Sequence, residues 1–205
     1  MKNILIHGLG QTSKSWNQTK KNLNENDMIV ETPNLFRIDE LTYQNLYQSF
    51  SKYCNSQNEK LNLCGLSLGG ILALSFAKQY PDKVNSMILI GTPYKIPKIL
   101  FHIQNLIFHM MPNKTFIKLG LSKKQFITLI YSMKNLDIAQ HLEKITCPTL
   151  ILCGKKDKVN LKSAELLSQN IMNSKFEVIE NSSHEVNIDA PIELASKICD
   201  FWKKS

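Results

Sequence analysis

The segment Gly65-Leu66-Ser67-Leu68-Gly69-Gly70 constrains the fold of this chain more than any other stretch. A short apolar run, KLNLC at 60–64, precedes it, and residues 71–80 follow it with apolar side chains at helical spacing. A serine flanked by glycines at a strand-to-helix turn is held on a tight bend that exposes its hydroxyl as a nucleophile. The pattern predicts an α/β protein in which Ser67 is the nucleophile of a serine hydrolase.

A serine nucleophile needs a histidine to take its proton and a carboxylate to hold that histidine, and both follow later in the chain. Asp157 comes just after the apolar run at 149–153, in a loop at the carboxyl end of a predicted strand, where chemistry is concentrated in α/β sheets. The preceding strand, 86–91, runs into Thr92-Pro93-Tyr94 without a carboxylate. Asp157 is therefore the predicted acid, and a solvated turn aspartate is the alternative.

His184 is the predicted base. It lies between the strand-like run at 176–179 and a helix opened by Pro191, so it is placed on a connecting loop. Three other histidines, His102, His109 and His141, fall in a segment with a helical, apolar pattern, which is typical of packing or surface positions.

The amino terminus predicts the remaining part of the site. The apolar run at 3–6 indicates a buried strand, and His7-Gly8-Leu9-Gly10 reads as the loop after it. We expect the backbone amides of Leu9 and Leu68 to form an oxyanion hole for the acyl carbonyl oxygen. His7 is expected to brace this loop rather than to take part in the reaction.

These residues resemble the α/β-hydrolase superfamily, in particular its small capped esterase and lactonase branch. The resemblance covers nearly the whole chain. It rests on His7-Gly8, the GxSxG segment, Tyr80-Pro81-Asp82-Lys83-Val84, the run from Gly154 to Asp157, and Ser183-His184. It implies a triad of Ser67, Asp157 and His184, with no metal and no organic cofactor.

The predicted fold is a doubly covered, mostly or wholly parallel sheet of six strands. Their predicted bounds are 2–6, 28–32, 61–64, 86–90, 149–153 and 175–179. The superfamily sheet commonly has eight strands, and the two amino-terminal ones are expected to be missing. The loop Pro33-Asn34-Leu35-Phe36-Arg37 also departs from the aspartate and glycine-rich turn of relatives.

One domain spanning residues 1–205 is expected, with a helical cap inserted at about 94–144. Residues 96–111 carry a broad apolar helical face, but their length and interrupting polar residues exclude a membrane span. Seven lysines and a single acid lie between 94 and 140, in a chain of net charge +8. This excess either reflects a general lysine bias or favours an anionic substrate or an acidic acyl-carrier partner.

The remaining expectations come from composition. Arg37 is the only arginine, which disfavours nucleic-acid binding, and no stable membrane association is expected. Residues 1–6 run into the core without a signal-peptide pattern, so a cytoplasmic location is expected. Five cysteines without metal-ligand spacing indicate reduced, buried thiols.

The function predicted from sequence is hydrolysis of a small carboxylic ester or related acyl substrate through an acyl-enzyme. Two alternatives stay open, since fold does not decide between them. One is a thioesterase, acyltransferase or lyase acting on a carrier-bound or anionic substrate. The other is a non-catalytic binding protein on a hydrolase scaffold.

Overall fold

Six parallel strands form the single sheet seen in the computed structural model, which describes residues 1–36, 38–96, 112, 116 and 121–205. The strands are β1 (Lys2–Ile6), β2 (Val30–Glu31), β3 (Leu61–Leu66), β4 (Val84–Ile90), β5 (Thr149–Gly154) and β6 (Ser174–Ile179). Their order across the sheet is β2-β1-β3-β4-β5-β6, and every neighbouring pair is parallel. The predicted six-stranded parallel sheet is confirmed.

Helices cover the sheet on both faces. Within the described residues they are α1 (Asn17–Asn24), α2 (Tyr43–Asn55), α3 (Leu68–Gln79), α4 (Lys123–Ser132), α5 (Lys158–Asn170), α6 (Val186–Asp189) and α7 (Pro191–Trp202). Short 3₁₀ turns lie at Ser13–Trp16, Pro81–Lys83 and Leu142–Lys144. Pro191 opens α7, where its missing N–H costs no hydrogen bond.

The alternation of side chains along the strands divides the core between the two faces. Ile4 and Ile6 of β1 join one buried cluster, which includes apolar residues from α2, α3, α4 and α5. Leu5 joins a second cluster with residues of α1 and α7. Burial on both faces explains why the central strands read as continuous apolar runs.

The strand order places a topological switch point between β1 and β3. From β1 the chain moves outward to β2, and it then crosses back over β1 to form β3. In open α/β sheets the loops at the carboxyl ends of two such strands diverge and leave a crevice for a ligand. The loop at 7–10 and the turn at Ser67 flank this crevice.

Some element bounds differ from the predicted ones. The second strand is only Val30–Glu31, because it lies at the sheet edge and the Ile29 side chain before it is 82% exposed. The strand before Ser67 continues to Leu66, and α3 begins directly at Leu68 rather than at residue 71. The reversal at Ser67 is therefore tighter than the apolar pattern indicated.

The predicted cap falls partly outside the described residues, and of its first helical stretch at 96–111 only Ile96 is described. In its later part, Phe126, Leu129 and Ile130 of α4 are buried in the same cluster as the side chains of α3. The extent of the cap stays a prediction. Among the described helices, none combines the length and apolar character needed to cross a membrane.

Candidate active site

Ser67 occupies the single residue between β3 and α3, with φ 54° and ψ −111°. This backbone conformation is strained for a residue with a side chain, so the surrounding structure must hold it. Its amide donates to the carbonyl of Ile90 at 2.8 Å, and its carbonyl accepts from Ile71 at 3.0 Å. A Cβ at Gly69 would lie 2.2 Å from the carbonyl oxygen of Ile6, so only glycine lets α3 approach β1 this closely.

Asp157 and His184 are brought together as the sequence predicted. Nδ1 of His184 lies 2.7 Å from Oδ2 of Asp157, in a hydrogen bond that requires the proton on Nδ1. The Asp157 carboxylate is buried, whereas 40% of the His184 side chain is exposed. Nε2 takes no part in this bond, and it belongs to a side chain that solvent can reach.

Burial by itself would raise the pKa of the Asp157 carboxyl, because desolvation disfavours the charged form. Hydrogen bonds from His184 and Asn160 outweigh burial, and the net pKa of this carboxyl lies below its ordinary value. Asp157 is therefore ionised at neutral pH and acts as a fixed acceptor for the imidazole.

Gly91, just past the end of β4, lies between the residue that holds Ser67 and the ring of His184. The Ser67 amide bonds to Ile90, and a Cβ built on Gly91 would lie 3.1 Å from Nδ1 of His184. Within the described residues the Ser67 hydroxyl makes no hydrogen bond with His184. Such contacts are often long without substrate and shorten when it binds.

The two amides predicted as oxyanion donors lie on either side of the serine. Leu68 is the first residue of α3, where an amide has no partner within its own helix. Leu9 follows Gly8, and a Cβ built on Gly8 would lie 3.5 Å from Cβ of Ser67. Among the described residues neither amide is engaged in a hydrogen bond.

His7 is buried beneath this loop. Its Nδ1 lies 3.0 Å from the carbonyl oxygen of Gly8 and donates to it, while its ring meets Phe36 edge-on with centroids 5.0 Å apart. Burial lowers the pKa of His7, and the bond to Gly8 opposes this only in part. A neutral, buried ring at this place agrees with the expected bracing role.

Sequence reasoning missed two groups of polar contacts around the site. Asn160, in the first turn of α5, bonds to both oxygens of Asp157. Gln11 bonds to Glu185 and Asn187, the residues that follow His184. The contact of Asn160 could have been expected from the sequence, because Asn160 stands three residues after an aspartate that caps a helix. No sequence pattern indicates the contacts of Gln11.

The other histidines are placed differently. His141 lies in a left-handed turn with φ 60° and has a half-exposed side chain, rather than in a helix as its surroundings suggested. His102 and His109 lie outside the described residues. Of the described histidines, only His184 is hydrogen-bonded to Asp157.

Sequence comparison with known proteins finds a peptidase family model and a lipase. The family model described as "Serine aminopeptidase, S33" matches residues 41–135. The human monoacylglycerol lipase ABHD6 is 23% identical over 256 aligned positions, which cover 97% of this chain and 74% of that protein. Residues 41–135 include the serine turn but neither Asp157 nor His184.

Solved structures match over the whole chain. A thermophilic esterase from Thermogutta terrifontis superposes with a TM-score of 0.82 at 21% identity, over 100% of this chain and 90% of its own. The enol-lactonase from Burkholderia xenovorans gives a TM-score of 0.84 at 15% identity, with 98% and 91% covered. At such identities the likeness establishes the fold and leaves the reaction open. The chain therefore has the α/β-hydrolase fold, with the serine turn between β3 and α3 at its centre.

Proposed function

We propose that this chain is a serine hydrolase that cleaves a small carboxylic ester or a related acyl substrate. The observation that carries the proposal is the hydrogen bond between the buried Asp157 carboxylate and His184, in a fold that also holds Ser67 in a strained turn. A strained backbone is costly to maintain, and its occurrence together with a hydrogen-bonded histidine and carboxylate is typical of an activated nucleophile.

The reaction proceeds in two steps. Nε2 of His184 takes the hydroxyl proton of Ser67 as Oγ attacks the acyl carbonyl, and Asp157 stabilises the imidazolium that results. The proton then passes to the departing alkoxide, which leaves an acyl group on Ser67. Water, deprotonated by the same nitrogen, attacks this acyl-enzyme and releases the acid while the proton returns to Ser67.

The carbonyl oxygen becomes negatively charged in both steps. The amides of Leu9 and Leu68 are the donors for this charge, each contributing on the order of 3 kcal/mol to transition-state stabilisation. Leu9 follows β1 and Leu68 follows β3, so the spacing of their amides depends on the pairing of these two strands.

The proposal is tested with a fluorophosphonate probe and a substrate panel. Wild type, Ser67→Ala and a matched control, Ser75→Ala on α3, are incubated with the probe and measured by intact mass. The panel comprises p-nitrophenyl esters of increasing chain length, a monoacylglycerol and an aminoacyl p-nitroanilide, since relatives are named as lipases and aminopeptidases.

We expect one label on wild type and on Ser75→Ala, and none on Ser67→Ala, whose kcat falls by about 10⁴-fold or more. Turnover of esters in preference to the anilide supports the esterase assignment. Labelled protein that cleaves no member of the panel points instead to a thioesterase, acyltransferase or lyase. An unlabelled wild type favours a binding protein and contradicts the proposal.

A carrier-bound substrate remains a second candidate because of the lysine excess between 94 and 140. An acidic acyl-carrier protein would dock there by charge complementarity, and its binding would weaken steeply with ionic strength. Comparing kcat/KM for an acyl-carrier thioester at 50 and 500 mM salt, with a p-nitrophenyl ester as control, separates docking from general salt effects.

A further inference from the structure

Asn160 is the one described side chain that contacts both Asp157 and His184. Its Nδ2 lies 3.0 Å from Oδ1 and 2.9 Å from Oδ2 of Asp157, and 3.2 Å from Nδ1 of His184. Its backbone amide also donates to Oδ1, at 3.3 Å.

The positions of the protons decide which of these contacts are hydrogen bonds. Nδ1 of His184 uses its proton for Oδ2 of Asp157, so it cannot also accept one from Asn160. The Asn160 amide therefore donates to the carboxylate, and its Nδ2 lies within hydrogen-bond distance of both oxygens. Oδ1 accepts from the amide and the backbone of Asn160, while Oδ2 accepts from Asn160 and His184.

This arrangement fixes the rotation of the carboxylate. Turning it about the Cβ–Cγ bond would break the contacts on both oxygens at once, and burial excludes the solvent that could replace them. A carboxylate held in one orientation holds the imidazole in one orientation as well, with Nε2 directed away from Asp157.

We propose that Asn160 is a positioning residue, which aims Oδ2 of Asp157 at His184 and so keeps the imidazole aligned for proton transfer from Ser67. The inference rests on the proposed function, because it assigns Asn160 a part in the same reaction. The alternative is a purely structural role at the start of α5, where Asp157 caps the helix by accepting from the Asn160 backbone.

Two variants separate these roles. Asn160→Leu keeps the size of the side chain and the backbone bond to Asp157 but removes both donors. Asn160→Ser is small and suits a first helical turn, and it is too short to reach both oxygens. The matched control is Asn170→Leu at the far end of α5, which also removes one side-chain hydrogen bond, to the carbonyl of Leu166.

Two measurements are made on each folded variant. The first is kcat and KM for the ester turned over fastest by wild type. The second is the proton spectrum, in which the downfield Nδ1–H signal of His184 is identified by its loss in His184→Gln. A role confined to the helix start would change the melting temperature without changing either readout.

We expect both Asn160 variants to lower kcat by roughly ten- to hundredfold with KM within about twofold, the pattern of lost transition-state alignment. Their Nδ1–H signal should broaden or vanish, whereas Asn170→Leu should match wild type in both readouts. A folded Asn160 variant with wild-type kcat overturns the inference.

The proton spectrum keeps this test distinct from that of the proposed function. If wild type cleaves no substrate and takes no label, the proposed function fails, and the Nδ1–H signal alone decides the role of Asn160. Loss of the signal in Asn160→Leu then supports positioning of His184, and an unchanged signal overturns it.

Discussion

Gln11 and Asn187 exchange two side-chain hydrogen bonds, each 3.1 Å long, between positions 176 residues apart. Asn187 also donates to the carbonyl of Ser15 at 3.1 Å, and Gln11 also donates to Glu185 at 2.8 Å. This buried amide pair joins the loop that carries Leu9 to the loop that carries His184. The two halves of the candidate site are thus tied to each other directly, as well as through the sheet.

Replacing Asn187 by leucine should destabilise the protein and weaken turnover. The substitution takes the Asn187 donor away from the buried Oε1 of Gln11 and from the Ser15 carbonyl, and leaving the buried oxygen unpaired costs about 1–3 kcal/mol. We expect a lower free energy of unfolding in urea and a reduced kcat. Asn26→Leu, which removes one exposed hydrogen bond to Asn22, is the control. Equal stability of the two variants would contradict this role for the pair.

Gly91→Ala should disturb the histidine more than the fold. Gly91 has φ +52°, so alanine there costs about 1–2 kcal/mol in backbone strain. Its Cβ would also lie 3.1 Å from Nδ1 of His184 and 3.4 Å from Oδ2 of Asp157, and the ring must shift to make room. We expect kcat to fall by roughly tenfold or more, as alignment is lost. Wild-type turnover in this variant would show that the ring tolerates the displacement.

Stability should depend on pH through Asp157. Its pKa is depressed in the folded state, so its ionised form contributes stability above the unfolded value of about 3.9. That contribution is lost as the pH falls through the lower folded value. We expect the stability difference between wild type and Asp157→Asn to shrink below pH 4, as measured by urea unfolding. Asp200→Asn, at an exposed position on α7, is the control, and a difference that does not change with pH would contradict the prediction.

The five cysteines should be unreactive in the native protein. All are free thiols and buried, at positions 54, 64, 147, 153 and 199. Burial raises the pKa of each thiol, to about 12 for Cys153, so little reactive thiolate forms at neutral pH. Ellman's reagent should detect no thiol before denaturation and five after it. Rapid reaction of a native thiol would show that its surroundings open.

Much of the fold follows from local patterns. Each of the six predicted strands occurs, and the central ones are apolar along their length because both of their faces are covered. The errors are at boundaries. The strand predicted at 28–32 is cut to Val30–Glu31, the only two residues that pair with β1 in this edge strand. His141 lies at the surface, one of the two positions expected for it, but the helical pattern around it does not reveal that its φ is positive.

The sequence by itself determined the candidate site residues and their order. These are a serine between glycines, then an aspartate, then a histidine, and each follows an apolar strand. Local geometry suffices for this, because the ends of parallel strands meet at one edge of the sheet whatever the loops contain. Only the tertiary structure decided which polar side chains support them. Hydrogen bonds act over about 3 Å and in fixed directions, so the contacts of Gln11 with Asn187 and of Asn160 with Asp157 depend on how the loops pack.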